Sequence, residues 1–206
     1  MQPVGRLHLV TDARAGRDVP GTVAAALKGG VDTVQLRVED DLTDRLAYAL
    51  AETVLRLCRD AGTTFLVNDR LDVALAVGAD GAHVGADDLP VAAARRVLGP
   101  HAVLGATARD PETARRSVAD GATYLGVGPA YATSTKPGLP DAIGPAGIAA
   151  VARAVAVPVI AIGGITVDRV AELRASGAHG VAVVGAVCAA PDPAAAARAL
   201  AREVAP

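Results

Sequence analysis

Aromatic side chains are almost missing from this sequence, which has one Phe, three Tyr and no Trp among its 206 residues. The hydrophobic core therefore has to be built from Ala, Val, Leu and Ile, because hydrophobic residues still make up 51% of the chain. Small and branched side chains suit the buried strands of a parallel sheet. A chain of this length favours one compact domain, spanning residues 1–206, with a sizeable core.

Other features are scarce, and each absence argues against a class of protein. The two cysteines, Cys58 and Cys188, are far apart without metal-ligand spacing, so we expect buried small hydrophobic residues in a reducing compartment. No apolar run reaches the ~18 residues of a membrane helix, and no apolar segment follows a basic start as in a signal peptide. The net charge of −2, with acids and bases interleaved, argues against a nucleic-acid surface. We expect a soluble, cytoplasmic protein without nucleic-acid or membrane partners.

The sequence does contain a regular alternation of short apolar segments and helical patterns. The predicted strands are Leu7–Asp12, Thr33–Arg37, Thr64–Asp69, Gly81–Gly85, Val103–Thr107, Tyr124–Gly128, Pro158–Ile162 and Gly180–Val184. The predicted helices are Pro20–Lys28, the segment between Thr43 and Gly62, Leu71–Val77, Pro90–Leu98, Pro111–Asp120, Ala146–Ala154, Asp168–Ser176 and Pro193–Val204. Eight strand–helix pairs predict an α/β fold, a (β/α)8 TIM barrel. The alternative is a doubly wound open sheet, but Thr11–Gly16 lacks the glycine spacing that often follows its first strand.

The stretch Tyr124–Lys136 has the features of a phosphate site. Its apolar beginning is typical of a buried strand, and Pro129 ends that strand because proline has no N–H to donate. Three hydroxyls and an ammonium follow within residues 133–136, T-S-T-K. Hydroxyls and backbone N–H groups donate hydrogen bonds to phosphate oxygens, and the lysine adds a positive charge. A solvated turn rich in Thr and Ser is the alternative interpretation.

Charged and polar residues also follow the other predicted strands, where the active sites of (β/α)8 barrels lie. These residues are Gln35, Arg37, Asn68, Asp69, Arg70, Asp87, Asp88, Thr107 and Arg109. Acids beside several cations suit a complex of Mg²⁺ and diphosphate, in which carboxylates hold the metal and the cations face phosphate oxygens. Gly163, Gly164 and Gly185 follow strands seven and eight, where their backbone N–H groups could approach a phosphate. Structural ion pairing across the barrel mouth is the alternative.

The histidines do not provide an obvious general base. His83 lies inside a predicted strand, where we expect a packed or hydrogen-bonded imidazole rather than a catalyst. No Ser–His–Asp or Cys–His arrangement is apparent in the sequence. This pattern favours chemistry driven by stabilisation of a leaving group over chemistry driven by proton abstraction.

Six motifs occur in a characteristic order: L-V-T-D, V-Q-L-R, V-N-D-R, H-V-G-A-D-D-L-P, G-P-A-Y-A-T-S-T-K and I-A-I-G-G-I-T. Over nearly the whole chain they resemble the thiamine phosphate synthase family, for which V-N-D-R together with T-S-T-K is specific. The resemblance implies a transferase that joins 4-amino-2-methyl-5-hydroxymethylpyrimidine diphosphate to thiazole phosphate, giving thiamine phosphate and diphosphate. It also implies a dissociative substitution assisted by Mg²⁺ as the cofactor.

The resemblance implies roles for individual residues. It assigns the metal to Asp69 and Asp88, and the pyrimidine diphosphate to Gln35, Arg37, Asn68, Thr107 and Lys136. It assigns the thiazole phosphate to Thr133, Thr135, Gly164, Val184 and Gly185. Arg37, Thr107 and Lys136 are the implied catalytic residues, which stabilise charge on the departing diphosphate.

The chain departs from the family pattern at several of these positions. Glu39 stands where the family usually has Lys, and Arg109 stands where it often has His. Ala86 replaces a frequent Gln, whereas Thr107 and Gly185 replace Ser. Our hypothesis is that Arg109 joins the substrate site and partly restores the positive charge lost at Glu39, because we expect both residues at one barrel mouth.

Three alternative functions remain open from the sequence. A thiazole tautomerase of the same fold is an isomerase without metal, and we expect it to lack the acid pair of Asp69 and Asp88. A sugar-phosphate isomerase or epimerase needs a base at a strand end, which the sequence does not reveal. A degenerate paralogue that binds a phosphorylated ligand without catalysis is compatible with Glu39 and Ala86. The sequence does not indicate an oligomeric state.

Overall fold

Eight parallel strands close into a barrel in the order of the chain, with β8 paired to β1. The structure, a computed structural model, describes residues 4–12, 14, 17–39, 41–133 and 138–205. The strands are β1 Leu7–Val10, β2 Thr33–Leu36, β3 Thr64–Asn68, β4 Gly81–Val84, β5 Val103–Ala108, β6 Tyr124–Val127, β7 Val159–Ile162 and β8 Gly180–Val183. The predicted (β/α)8 barrel is confirmed, and the open sheet is wrong.

Helices separate the strands and cover the outside of the barrel. They are α1 Val19–Lys28, α2 Asp44–Ala61, α3 Leu71–Val77, α4 Val91–Leu98, α5 Pro111–Ala119, α6 Gly144–Ala152, α7 Val167–Ala175, α8 Gly185–Cys188 and α9 Pro193–Val204. Predicted and observed bounds agree within about two residues, but the short α8 was not predicted. No helix among the described residues combines the length and the apolar character needed to cross a membrane.

The helix ends follow from local chemistry. The carboxylates of Asp18, Asp110 and Asp192 accept backbone N–H groups from the first turns of α1, α5 and α9. Thr43 occupies the N-cap of α2, but its side chain makes no capping hydrogen bond. Gly62 ends α2 in the left-handed conformation at φ 66°, which glycine adopts without a steric penalty.

Alternate residues of each strand face opposite sides of the barrel wall. Leu7 and Leu9 of β1 belong to the large core between strands and helices, whereas Val10 belongs to a smaller cluster inside the barrel. The buried members of that inner cluster are Val10, Leu66, Val103, Tyr124, Ile160 and Ala182. Because the strands are parallel, their carboxyl ends share one rim of the barrel, above this inner cluster.

Two glycines leave room for the rings inside the barrel. A Cβ atom at Gly105 would lie 2.2 Å from Cζ of Tyr124 and 2.4 Å from Nδ1 of His83. A Cβ atom at Gly126 would lie 3.0 Å from Cε1 of His83. The lack of a side chain at Gly105 of β5 and at Gly126 of β6 therefore allows the His83 imidazole and the Tyr124 phenol to occupy the barrel interior.

Candidate active site

A cavity of about 780 Å³ opens at the carboxyl ends of the strands and reaches into the barrel. Inward-facing residues such as His8, Tyr124, Ile160 and Ala182 form its deep part. The segments that follow the strands form its rim. This is the face on which (β/α)8 barrels carry their active sites.

Most of the candidate site residues meet in this one cavity. Its lining includes Gln35, Arg37, Asn68, Asp69, Asp88, Thr107, Arg109, Thr133, Gly164, Val184 and Gly185. Thr135 and Lys136 lie outside the described residues, so the T-S-T-K prediction is placed only at Thr133. The structure brings the eleven lining residues together, while their binding roles stay predictions.

The carboxylates of the cavity follow two neighbouring strands, β3 and β4. The backbone N–H of Asp69 donates to the carbonyl oxygen of His83 at 2.9 Å, and Asp69 has an unusual φ of 61° for a non-glycine residue. The side-chain amide of Asn68 donates to the Asp69 carboxylate. The Asp88 carboxylate accepts the N–H of Gly85 at 2.7 Å. Both carboxylates are thus fixed beside the same cavity.

Asp69 and Asp88 carry carboxylates, whose oxygens are the kind of ligand that Mg²⁺ prefers. Among the described residues, no group of three or more His, Cys, Asp and Glu side chains is arranged to hold a metal. Mg²⁺ is usually held by one or two carboxylates, several waters and phosphate oxygens of the substrate. Asp69 and Asp88 carry side chains of the first kind, and their role as metal ligands stays a prediction.

Two arginines bring positive charge to the same part of the rim. The backbone of Arg37 is fixed by Thr11, whose hydroxyl accepts the Arg37 N–H at 2.9 Å and lies 3.0 Å from its carbonyl oxygen. Arg109 donates from Nη2 to the carbonyl oxygen of Asp141 at 2.5 Å. Its Nε–H is buried and has no hydrogen-bond partner within the described part of the chain. A buried donor without a partner carries a desolvation cost.

Two charged residues lie differently from the expectation. Arg70 was expected at the mouth of the barrel, but its guanidinium pairs with Asp44 and Asp72 and does not line the cavity. Glu39 lines a smaller neighbouring pocket of about 350 Å³. Asn68 and Asp69 line both this pocket and the cavity of Arg109, so the idea that Arg109 compensates for Glu39 stays a prediction.

A buried polar network forms the floor of the cavity, and sequence reasoning identified only part of it. The ring nitrogens of His83 lie 3.0 Å from the Tyr124 hydroxyl and 3.0 Å from the Thr107 hydroxyl. The Gln35 amide donates to the same Tyr124 hydroxyl at 3.4 Å. The prediction that His83 is hydrogen-bonded is confirmed. His8 and Tyr124, which the sequence did not single out as cavity residues, pack with their rings in an edge-to-face arrangement.

Burial keeps the rings of this floor neutral. Loss of solvation lowers the pKa of His83 to about 4 and that of His8 to about 3. A neutral imidazole donates from one nitrogen and accepts at the other, so His83 bridges Tyr124 and Thr107. The arrangement orients the Thr107 hydroxyl at the end of β5.

The opposite side of the rim is built from glycine-containing segments. Gly163 and Gly164 have φ values of 97° and 63°, which side-chain-bearing residues rarely adopt. A Cβ atom at Gly164 would lie 2.6 Å from the carbonyl oxygen of Ala132 and 2.9 Å from Cβ of Tyr131. The segments after β6 and β7 therefore pack closely together. Arg169 of α7 also lines this side and was not predicted from the sequence, since it lies in a helix and not at a strand end.

This chain is similar in sequence to known proteins over nearly its whole length. The family model described as thiamine monophosphate synthase matches residues 7–187. The thiamine-phosphate synthase of Salinispora tropica is 61% identical over 202 residues, covering 97% of each chain. That of Haloquadratum walsbyi is 50% identical, covering 94% of this chain and 88% of its own.

A solved structure shows the same relationship. Thiamine phosphate pyrophosphorylase from Pyrococcus furiosus has a TM-score of 0.88 and 35% identity, covering 97% of this chain and 95% of its own. The resemblance seen in the six motifs thus extends to the whole fold. The chain belongs to the thiamine monophosphate synthase family and is a transferase of thiamine biosynthesis.

Proposed function

We propose that this chain joins the pyrimidine diphosphate to the thiazole phosphate and releases diphosphate. One observation carries the proposal: the acids and arginines after β2 to β5 line the same cavity as the glycine segments after β7 and β8. Such a cavity offers a place for a diphosphate on one side and for a second phosphorylated ligand on the other. The name of the relatives, thiamine-phosphate synthase, supports thiamine phosphate as the product.

The acid pair of Asp69 and Asp88 would hold Mg²⁺ in this reaction. When bound, the metal neutralises part of the charge on the diphosphate oxygens. Asn68, whose amide donates to the Asp69 carboxylate, would keep that carboxylate oriented. The magnesium requirement is part of the proposal.

The chain's own residues stabilise the leaving group. As the bond between the pyrimidine methylene carbon and the diphosphate oxygen breaks, its electron pair leaves with the diphosphate. Arg37 and Arg109 supply positive charge, and the Thr107 hydroxyl, oriented by His83, donates a hydrogen bond. Lys136, outside the described residues, is the proposed third cation.

The second half of the substitution requires positioning rather than a base. The thiazole nitrogen forms the new C–N bond with its own lone pair, so no proton has to be removed. His83 is poorly suited to act as a base, because its pKa is lowered to about 4 and both ring nitrogens have hydrogen-bond partners. The geometry therefore favours substitution over isomerisation.

The test is incubation of the purified protein with both precursors and Mg²⁺, with thiamine phosphate and diphosphate measured by chromatography. We expect equal amounts of both products and their loss when EDTA is added. Asp69→Asn and Asp88→Asn should lower turnover about 100-fold or more, because the metal loses a charged ligand. Cys188→Ala, which changes a residue outside the cavity lining, should retain turnover.

Other outcomes would identify the alternatives. Isomerisation of a thiazole precursor that is unaffected by EDTA would indicate the tautomerase. Binding of either substrate without any product would indicate a binding protein without catalysis. Either result would overturn the proposal. A cytoplasmic location also stays a prediction.

A further inference from the structure

The two halves of the cavity differ in charge. The carboxylates that line it, Asp69, Asp87 and Asp88, all follow β3 or β4. No carboxylate from the described residues after β6, β7 or β8 lines the cavity. In that second half, Arg169 is the cation that the described residues contribute.

Contacts with two different segments fix the Arg169 side chain at the rim. Its Nη1 donates to the carbonyl oxygen of Gly164 at 2.5 Å. Its guanidinium carbon lies 4.4 Å from the centre of the Tyr131 ring, a cation–π arrangement. The Tyr131 hydroxyl in turn donates to Glu172 at 2.6 Å, so the ring is held from α7 as well. The guanidinium is therefore placed before any ligand arrives.

The guanidinium keeps unused hydrogen-bonding capacity. Arginine has five N–H donors. Within the described residues, Arg169 uses one of them, in the hydrogen bond to the Gly164 carbonyl oxygen. No carboxylate of the described residues lies within ion-pair distance of it. A half-buried arginine with donors to spare, facing glycine segments, is suited to bind a phosphate group.

We propose that Arg169 binds the phosphate of the thiazole substrate, together with backbone N–H groups of the Gly163–Gly164 and Gly185 segments. This inference rests on the proposed function and adds a residue to its second substrate site. The same contacts hold the segments after β6 and β7 together. Arg169 therefore links Gly164, in the segment after β7, to Tyr131, in the segment after β6.

The experiment compares Arg169→Gln with the wild-type enzyme on two acceptors, the thiazole phosphate and the corresponding thiazole alcohol without phosphate. We expect the KM for the thiazole phosphate to rise about tenfold to 100-fold, since one charge-assisted contact is lost. The KM for the pyrimidine diphosphate and the use of the thiazole alcohol should stay within about twofold. Arg169→Lys should recover part of the loss, because the charge is kept without the planar fork.

Glu172→Gln is the matched control. It weakens the link between Tyr131 and α7 but leaves the guanidinium in place, so the KM for the thiazole phosphate should not change. If Glu172→Gln and Arg169→Gln raise this KM equally, the cluster only holds the segments together and the inference fails. An unchanged KM in Arg169→Gln would overturn it as well.

A calorimetric titration separates this inference from the proposed function. Wild-type protein that neither binds thiazole phosphate nor forms thiamine phosphate would contradict the proposed function itself. Wild-type protein that is active while Arg169→Gln binds thiazole phosphate equally well would contradict only the role of Arg169. Circular dichroism of Arg169→Gln and Arg169→Lys establishes that both variants are folded.

Discussion

At the scale of single residues, the floor of the cavity shows how burial selects a protonation state. His8 is 1% exposed, and its Nε2–H donates to the carbonyl oxygen of Gly5 at 3.2 Å. Desolvation, the largest cause, lowers its pKa to about 3. The folded protein therefore keeps His8 neutral at pH values where an unfolded chain would bind a proton.

This difference predicts a dependence of stability on pH. Between an unfolded pKa of about 6.5 and the folded value of about 3, the unfolded state binds one more proton at His8, so the free energy of unfolding falls as the pH falls. The expected slope is about 1.4 kcal/mol per pH unit. His8→Gln keeps a donor for Gly5 but does not titrate. Urea unfolding at pH 7, 6 and 5 should show that the wild type loses stability faster than the variant as the pH falls. If the free energies of unfolding of both proteins fall in parallel, His8 is not the source of the pH dependence.

Arg109 lines the cavity after β5 and stands where the resemblance to the family predicts His. Because the positively charged Arg109 lines the same cavity as Arg37, we expect it to contact the released diphosphate. Arg109→Ala should raise the inhibition constant of diphosphate about tenfold. Arg96→Ala, on the surface of α4, is the control and should leave it unchanged. Equal inhibition of Arg109→Ala and wild type would show that Arg109 only contacts Asp141.

At the scale of secondary-structure elements, two helix starts that look alike in the sequence differ in their hydrogen bonds. Asp110 accepts the N–H groups of Glu112 and Thr113, both at 2.9 Å, at the start of α5. Thr43 holds the same position in α2 without a side-chain bond. A residue type favoured at N-caps therefore predicts where the helix begins but not whether the side chain stabilises it.

The difference can be measured with matched substitutions. Asp110→Ala should lower the free energy of unfolding by about 1 kcal/mol, because two backbone donors lose their acceptor. Thr43→Ala should cost less than about 0.5 kcal/mol. Thermal and urea unfolding of both variants provide the comparison. A larger cost for Thr43→Ala would mean that its hydroxyl contributes in solution.

At the scale of the whole molecule, residues distant in sequence share the barrel interior. Gly105 on β5 leaves the space that the Tyr124 ring of β6 and the His83 ring of β4 occupy. Gly105→Ala should therefore destabilise the protein by about 1–3 kcal/mol, through a displaced ring and a strained backbone. In the double variant with Tyr124→Leu the ring is gone, so the second substitution should offset part of this cost. Additive losses in the double-mutant cycle would show that the methyl group does not meet the ring.

The closed barrel also explains how far the site could be predicted. Parallel strands end at one rim, so residues after different strands were expected to meet, and eleven of the predicted site residues line one cavity. Arg70 is the exception, because α2 places Asp44 beside its guanidinium. Arg169 was missed for the reverse reason, since it reaches the rim from within α7.

Local sequence was enough to predict the order and approximate bounds of the strands and of every helix except the short α8. Apolar segments of strand length, aspartates at helix starts and glycines at helix ends act through neighbouring backbone groups, so they are readable along the chain. Which polar side chains come into contact depends on the closure of the barrel. His83 and Tyr124 are 41 residues apart in the chain, and the surroundings that keep the imidazole neutral come from several strands. Such contacts and pKa shifts exist only after the barrel closes, because each depends on desolvation by residues that local sequence does not bring together.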